Sequence, residues 1–279
     1  MGKRSSKGLA LGVRSLPAPA IALAILALLS VAFPILALVM GADWGSLATD
    51  VTTPSALSAL WLSFWTATVA TAVCLILGVP LALFLSRADG WGGSVLRVLV
   101  NLPLVMPPLV GGLALLMLFG RRGLVGGPLY DLTGWMLPFT TPAVVVSQVF
   151  VALPFMVISV EGVLRTQSPG YTEAAQTLGA SPGYVLTKVV LPLAAPGIAA
   201  GTVLTFARAL GEFGATALFA GNRQGVTQTM PLAIYTAFNG GGVSQSSAIA
   251  LALMLLFSAF AVLFLARLWR PGQIARRSS

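Results

Sequence analysis

The chain has no histidine, a single cysteine (Cys74) and only seven Asp and Glu in 279 residues. The missing histidines exclude imidazole acid–base chemistry and, with no cysteine cluster, the usual zinc ligand sets. One cysteine leaves no intrachain disulfide. No GxxxxGK[ST] stretch occurs, so the chain carries no P-loop for ATP. Charged residues make up 8% of the chain, against about 25% in soluble domains. That is too little charge for a water-facing surface.

What the sequence has instead is apolar length. It is 57% hydrophobic, with a mean hydropathy of +0.93. A spanning helix needs about 20 apolar residues, and six runs reach that length. They are Leu16–Met40, Ala56–Leu85, Leu96–Phe119, Thr141–Leu164, Leu193–Ala220 and Ser246–Leu268. The reading is an all-α integral membrane protein with six transmembrane helices. Residues 1–15 and 269–279 are its tails, and 16–40 is its first helix. The first run follows basic residues, as a signal peptide would, but it exceeds the ~7–15 residues of a signal's apolar region and is read as a retained helix.

The net charge of +9 does not point to nucleic acid, because the basic residues sit at the ends and between apolar runs. With the N-terminus inside, Lys3, Arg4, Lys7, Arg14, Arg87, Arg97, Arg165, Lys188, Arg267, Arg270, Arg276 and Arg277 are cytoplasmic. Arg121, Arg122 and Arg223 are outside, and Arg208 lies within a run. Positive-inside bias therefore puts both termini in the cytoplasm of a prokaryotic cell membrane. Trp44 and Trp135 fall at the outer interface and Trp91 and Trp269 at the inner one.

The third run opens with "NLPLVMPPLVGG", in which Pro103, Pro107, Pro108, Gly111 and Gly112 cannot sustain an undisturbed helix. Broken backbone at membrane depth survives where protein or a watery cavity satisfies it. The segment either borders a pathway, with Pro107 and Pro108 at its lip, or forms a kink buried against neighbours.

Between the fourth and fifth runs lies a polar cytoplasmic loop, 165–192. Ser168-Pro169 and Ser181-Pro182 each offer an N-cap followed by proline at the first helical position. Gly179 suits a left-handed stop after Tyr171–Leu178. Two short helices with a sharp bend are expected. They form either a knuckle for another protein's groove or a connector lying on the membrane face.

The stretch "EAAQTLGASPGYVLTKVVLP" resembles the signature of ABC importer permeases. It supplies Glu173, Ala174, Ala175, Gly179, Val189, Leu191 and Pro192 at the family's spacing, with valine at 189 where isoleucine is commonest. The blocks "LPLVMPPLVGGLALLMLFGRRGLVG", "LYD" and "FARALGEFGATALFAGNRQGVTQTMPLAIY" are similar to the molybdate branch of those permeases. The resemblance runs from about residue 56 to 268, which it implies is the core with five transmembrane helices, and does not need the first run, so that 16–40 would be an additional helix. It implies a type I ABC importer permease fold, a homodimer around a central pathway, and alternating access. It also implies a binding protein for an oxyanion outside and two copies of an ABC ATPase inside. Glu173, Ala174, Ala175, Gly179, Leu191 and Pro192 would form the loop that docks on the ATPase. The chain itself would carry no catalytic site, metal or cofactor, ATP being used by the partner. The cargo implied is molybdate, with tungstate beside it and sulfate or thiosulfate as the nearest competitor.

Arg208 and Glu212 are spaced as an i,i+4 pair inside the fifth run. At a ~1.5 Å rise, Arg208 lies roughly 22 Å from the inner end. Such a pair either closes an outer gate, with Arg208 offered to an oxyanion, or holds helices together. Arg121, Arg122 and Arg223 either meet the binding protein or are solvated loop charges. Gly197-xxx-Gly201 has the spacing for close helix approach, but 30 glycines make one such spacing unremarkable. A secondary transporter would need ion-coupling acids, and Glu212 is the one acid read within the spans. A membrane enzyme would need convergent catalytic groups, which seven scattered carboxylates do not supply.

Overall fold

The computed structural model describes residues 17–168, 170–240 and 245–268. The expected tails 1–15 and 269–279, with Leu16, Pro169 and Trp269, lie outside the described residues. Those described form helices and turns without a strand. In chain order they are α1 Ala18–Met40, α2 Leu47–Val51, α3 Pro54–Arg87, α4 Gly90–Val105, α5 Pro108–Phe119, α6 Gly126–Thr133 and α7 Thr141–Thr166. There follow α8 Gly170–Thr177, α9 Pro182–Val185, α10 Leu191–Leu210, α11 Gly214–Phe219, α12 Met230–Phe238 and α13 Gln245–Leu268.

Among the described residues, four helices are long and apolar enough to cross a membrane: α1, α3, α7 and the continuous stretch Pro182–Leu210. Counted as one broken span, the bent pair α4–α5 makes a fifth. α13 contributes the shorter apolar stretch Ser246–Val262.

Lipid gives large apolar side chains no reason to turn inward, so helices associate where small residues let backbones approach. On α3 the buried line is Ala56, Ala59, Ser63, Ala67, Ala70, Cys74, Gly78 and Ala82, while Trp61, Trp65 and Ile76 face outward. This line meets α7. Cys74 Sγ donates to the Val149 carbonyl at 3.9 Å, and Gly78 packs on Met156, so the two helices run in the same direction. α10 runs opposite to α7: Gly197 faces Ser159 and Val163, and Gly201 faces Met156 and Ser159. A Cβ on Gly197 would stand 2.7 Å from the Ser159 carbonyl oxygen. The Gly-xxx-Gly spacing discounted in the sequence is therefore a helix–helix contact after all.

α12 and α13 close the bundle. The Met230 amide donates to Ser63 Oγ at 2.7 Å, and Ser247 Oγ donates to Asp50 Oδ1 at 2.8 Å. α1 packs beside α13 and has no buried residue. It is an addition to the bundle rather than part of its core.

Two expected spans are corrected. The run Leu96–Phe119 is two helices bent by 114° about Met106 and Pro107. Pro107 and Pro108 have no amide hydrogen to continue α4. The run Leu193–Ala220 also breaks: its helix stops at Leu210, and α11 begins at Gly214. At its other end that span starts early. The second short helix expected in the loop is the first turn of the 29-residue stretch Pro182–Leu210. A π-helical turn, Leu186–Val190, joins α9 to α10, with the Leu191 amide donating to the Leu186 carbonyl. Pro192 cannot donate to the carbonyl of Lys188, and the wider turn absorbs the missing bond.

Candidate functional site

The bend between α4 and α5 encloses a cavity of about 190 Å³. Pro103, Leu104, Met106, Pro107, Pro108 and Gly111 line it from the broken helix, and Phe150, Val151 and Phe155 from α7. Arg208 closes it from the last turn of α10. The site residues read separately from two distant blocks, Pro107, Pro108 and Arg208, thus share one wall. Glycines make the approach possible. A Cβ on Gly112 would lie 2.8 Å from the Ala215 carbonyl oxygen, and one on Gly214 would collide with Pro108. Within α7, Pro154 leaves the Phe150 carbonyl without its helical donor. Broken backbone here borders a cavity, as membrane depth requires.

Arg208 Nη2 lies 2.7 Å from Glu212 Oε2. The pair is real, but it is not two residues of one helix. Glu212 lies beyond the end of α10, and its Oε1 accepts from the Ala215 amide at 2.8 Å, so it caps α11. A carboxylate there complements the positive end of α11. The Glu212 side chain is 1% exposed, whereas that of Arg208 is 29% exposed and reaches the cavity. The arrangement offers a partly neutralised cation to an anion in an otherwise apolar pocket.

At the far end of α7 the chain turns into α8, which carries Glu173, Ala174 and Ala175. Gly179 takes φ +82°, and the Ala180 amide donates to the Ala175 carbonyl at 3.0 Å, the wrapped-back geometry of a glycine-stopped helix. Ser181 Oγ accepts from the Tyr184 amide at 3.4 Å and starts the next helix. The sharp bend read from the sequence is present, although its second arm is the start of the stretch that continues into α10. Glu173, Ala174 and Gly179 are exposed and Ala175 is half-buried. Tyr171, Leu178 and Tyr184 project with 58%, 88% and 57% of their surface free. Leu191 and Pro192 lie apart from this tip, at the start of α10.

At the opposite end, the Arg121 guanidinium sits 4.5 Å above the Tyr130 ring, while Arg122 and Arg223 are exposed on separate loops.

One cluster escaped the sequence. Glu161 of α7 accepts from Arg97 Nε at 2.6 Å and from Arg165 Nη1 at 3.4 Å. Arg97 Nη2 also donates to the carbonyls of Leu85 at 2.6 Å and Ala88 at 2.8 Å. A signal was available: Glu161 lies within the run Thr141–Leu164, where an ionisable group needs a partner. Glu212 is therefore not the one acid in the spans.

This bundle, with its broken helix and projecting knuckle, is the fold of ABC transporter membrane subunits. It superimposes on a chain of a bacterial ABC transporter that imports alginate, with a TM-score of 0.71 at 17% identity, covering 93% of this chain and 95% of that one. A chain of the methionine ABC transporter MetNI in inward-facing form gives 0.58 at 19% identity, covering 76% and 92%.

Residues 74–273 match the family described as the binding-protein-dependent transport system inner membrane component, and the chain belongs to that family. It is 52% identical over 212 residues to the molybdenum transport system permease protein ModB of Mycobacterium tuberculosis, covering 76% of this chain and 80% of the relative. To the protein of the same name from Escherichia coli it is 39% identical over 190 residues, covering 68% and 83%.

Proposed function

We propose that this protein is the membrane-spanning permease subunit of an ATP-driven importer for molybdate. The observation that carries the reading is the cavity at the α4–α5 bend, where Arg208 faces apolar walls inside a bundle whose relatives are molybdenum permeases. A tetrahedral dianion needs compensating charge to leave water, but a desolvated arginine with no acidic partner would hold it too firmly to release. Arg208 shared with Glu212 lies between these limits.

In this reading the termini and the knuckle are cytoplasmic, supported by the excess of Lys and Arg on that side. The knuckle enters a groove on a separate ATPase subunit. Exposed Tyr171, Leu178 and Tyr184 supply the anchors, Glu173, Ala174 and Ala175 the close face, and Gly179 the bend. Leu191 and Pro192 pass motion into α10. Two copies of the chain enclose the pathway, with one ATPase for each. Arg121, Arg122 and Arg223 face a substrate-loaded binding protein outside, where charge sets register more than affinity. Pro107, Pro108, Arg208 and Glu212 form the gate. The core is 56–268, and α1 is an addition.

The test is uptake by vesicles holding the assembled complex, with molybdate, tungstate and sulfate in competition. Molybdate uptake that needs ATP and outcompetes sulfate is expected. Sulfate uptake without molybdate uptake overturns the cargo, and transport by the chain with no ATPase present overturns the mechanism.

A further inference from the structure

Arg97 joins three elements at one point. Its guanidinium holds the last carbonyls of α3, its own backbone belongs to α4, and its Nε is bound to Glu161 on α7. The joint is tight and largely withdrawn from solvent, the two side chains being 19% and 11% exposed. The α3–α4 turn leaves no slack, since a Cβ on Gly93 would collide with the Ala88 carbonyl.

The joint's position carries the inference. On one side Arg97 holds the Leu85 carbonyl, and the next residues, Ser86 and Arg87, line a second cavity of about 140 Å³ together with Leu164, Gln167 and Tyr171, and with Val190 and Leu193 at the start of α10. Glu161 lies on α7 five residues before its end at Thr166, and α8 begins at Gly170. On the other side α4 stays helical from Arg97 to Val105, an arm of about 12 Å with Pro103 in its last turn, and ends at Met106 and Pro107 on the Arg208 cavity. Ridged, close-packed elements move as units, so a joint gripping α3, α4 and α7 together is where displacement at the knuckle becomes displacement of the proline lip.

We propose that Arg97 and Glu161 are positioning residues that transmit motion from the knuckle to the α4 arm, and so to the cavity. They touch no cargo. The inference rests on the knuckle's role proposed above. A fork is needed here, because one group must hold two carbonyls and a carboxylate at once; Arg supplies that geometry and Lys does not.

The experiment uses the complete importer in vesicles, with Glu161→Gln and Arg97→Lys. One readout is molybdate taken up per ATP hydrolysed. The other, in a Cys74→Ala background, is labelling of Met106→Cys by a water-soluble maleimide with and without a non-hydrolysable nucleotide. Uptake per ATP should fall about fivefold or more, with the nucleotide-dependent change in labelling reduced and ATPase co-purification retained. If yield or thermal stability drops while uptake per ATP and the labelling change stay at the parent's values, the pair is only structural and the proposal is overturned. Should Glu161→Gln not assemble, Arg97→Lys reads the same quantities with the charge kept. If the parent shows no nucleotide-dependent labelling, the role of the knuckle itself fails and this inference falls with it.

Discussion

Two buried glutamates, each holding an arginine, mark the two ends of the α4 arm, and they are built differently. Glu212 takes its partner from four residues away, and the pair sits on the cavity wall. Glu161 takes its main partner from 64 residues away, near the end of α7 that leads to the knuckle. Among the described residues Arg208 has Glu212 as its bonded partner, whereas Arg97 keeps two carbonyls besides Glu161. A cation with one partner stays available to a passing anion; a cation with three is committed to structure. The same pair of residue types therefore serves a pathway in one place and a joint in the other.

Substitutions can break or sharpen that contrast. The largest effect belongs to Glu212→Ala, which leaves Arg208 uncompensated and removes the cap of α11. A loss of about 3 kcal/mol is expected, read by thermal unfolding of the solubilised protein. A loss no larger than that of Glu161→Gln would break the comparison. Next is Arg208→Gln, which removes the cation from the cavity. Molybdate uptake should fall about tenfold, equivalent to 1.4 kcal/mol in the barrier, with ATPase binding kept. Unchanged uptake and unchanged accessibility of the outer side would reduce the pair to a structural one.

Glu161→Gln is third. Arg97 retains both carbonyls and gains an amide oxygen as acceptor, so about 1 kcal/mol of stability is expected to go, and the effect on uptake per ATP should exceed what that loss explains. The smallest is Arg165→Ala. Its contact with Glu161 is 3.4 Å long and its side chain is 47% exposed, so a change below about 0.5 kcal/mol is expected. A larger one would show that Glu161 depends on both arginines and would redraw the joint.

The contrast also separates what could be read along the chain from what could not. Apolar length gave the bundle and most helix bounds within a few residues, because a bilayer imposes the same length on any span. The Gly179 stop and the Ser181 cap were legible for a similar reason: each depends on neighbours within about four residues. Arg208 with Glu212 was legible as a spacing, although not as a cap, since the break at Gly211–Phe213 sits inside an apolar run.

What only the tertiary structure decided is whatever needed a second helix at a particular depth. The 114° bend was signalled by Pro107 and Pro108, but its size follows from Gly112 and Gly214 letting α5 and α11 meet. The shared wall of Pro107, Pro108 and Arg208, the Gly197–Gly201 contact with α7 and the union of Arg97 with Glu161 have no local pattern. Hydropathy says that a segment enters the membrane, and caps say where it starts and stops. Which small residues face one another, and which charge finds which, is settled by packing in a solvent that rewards close approach and punishes an unpaired ion.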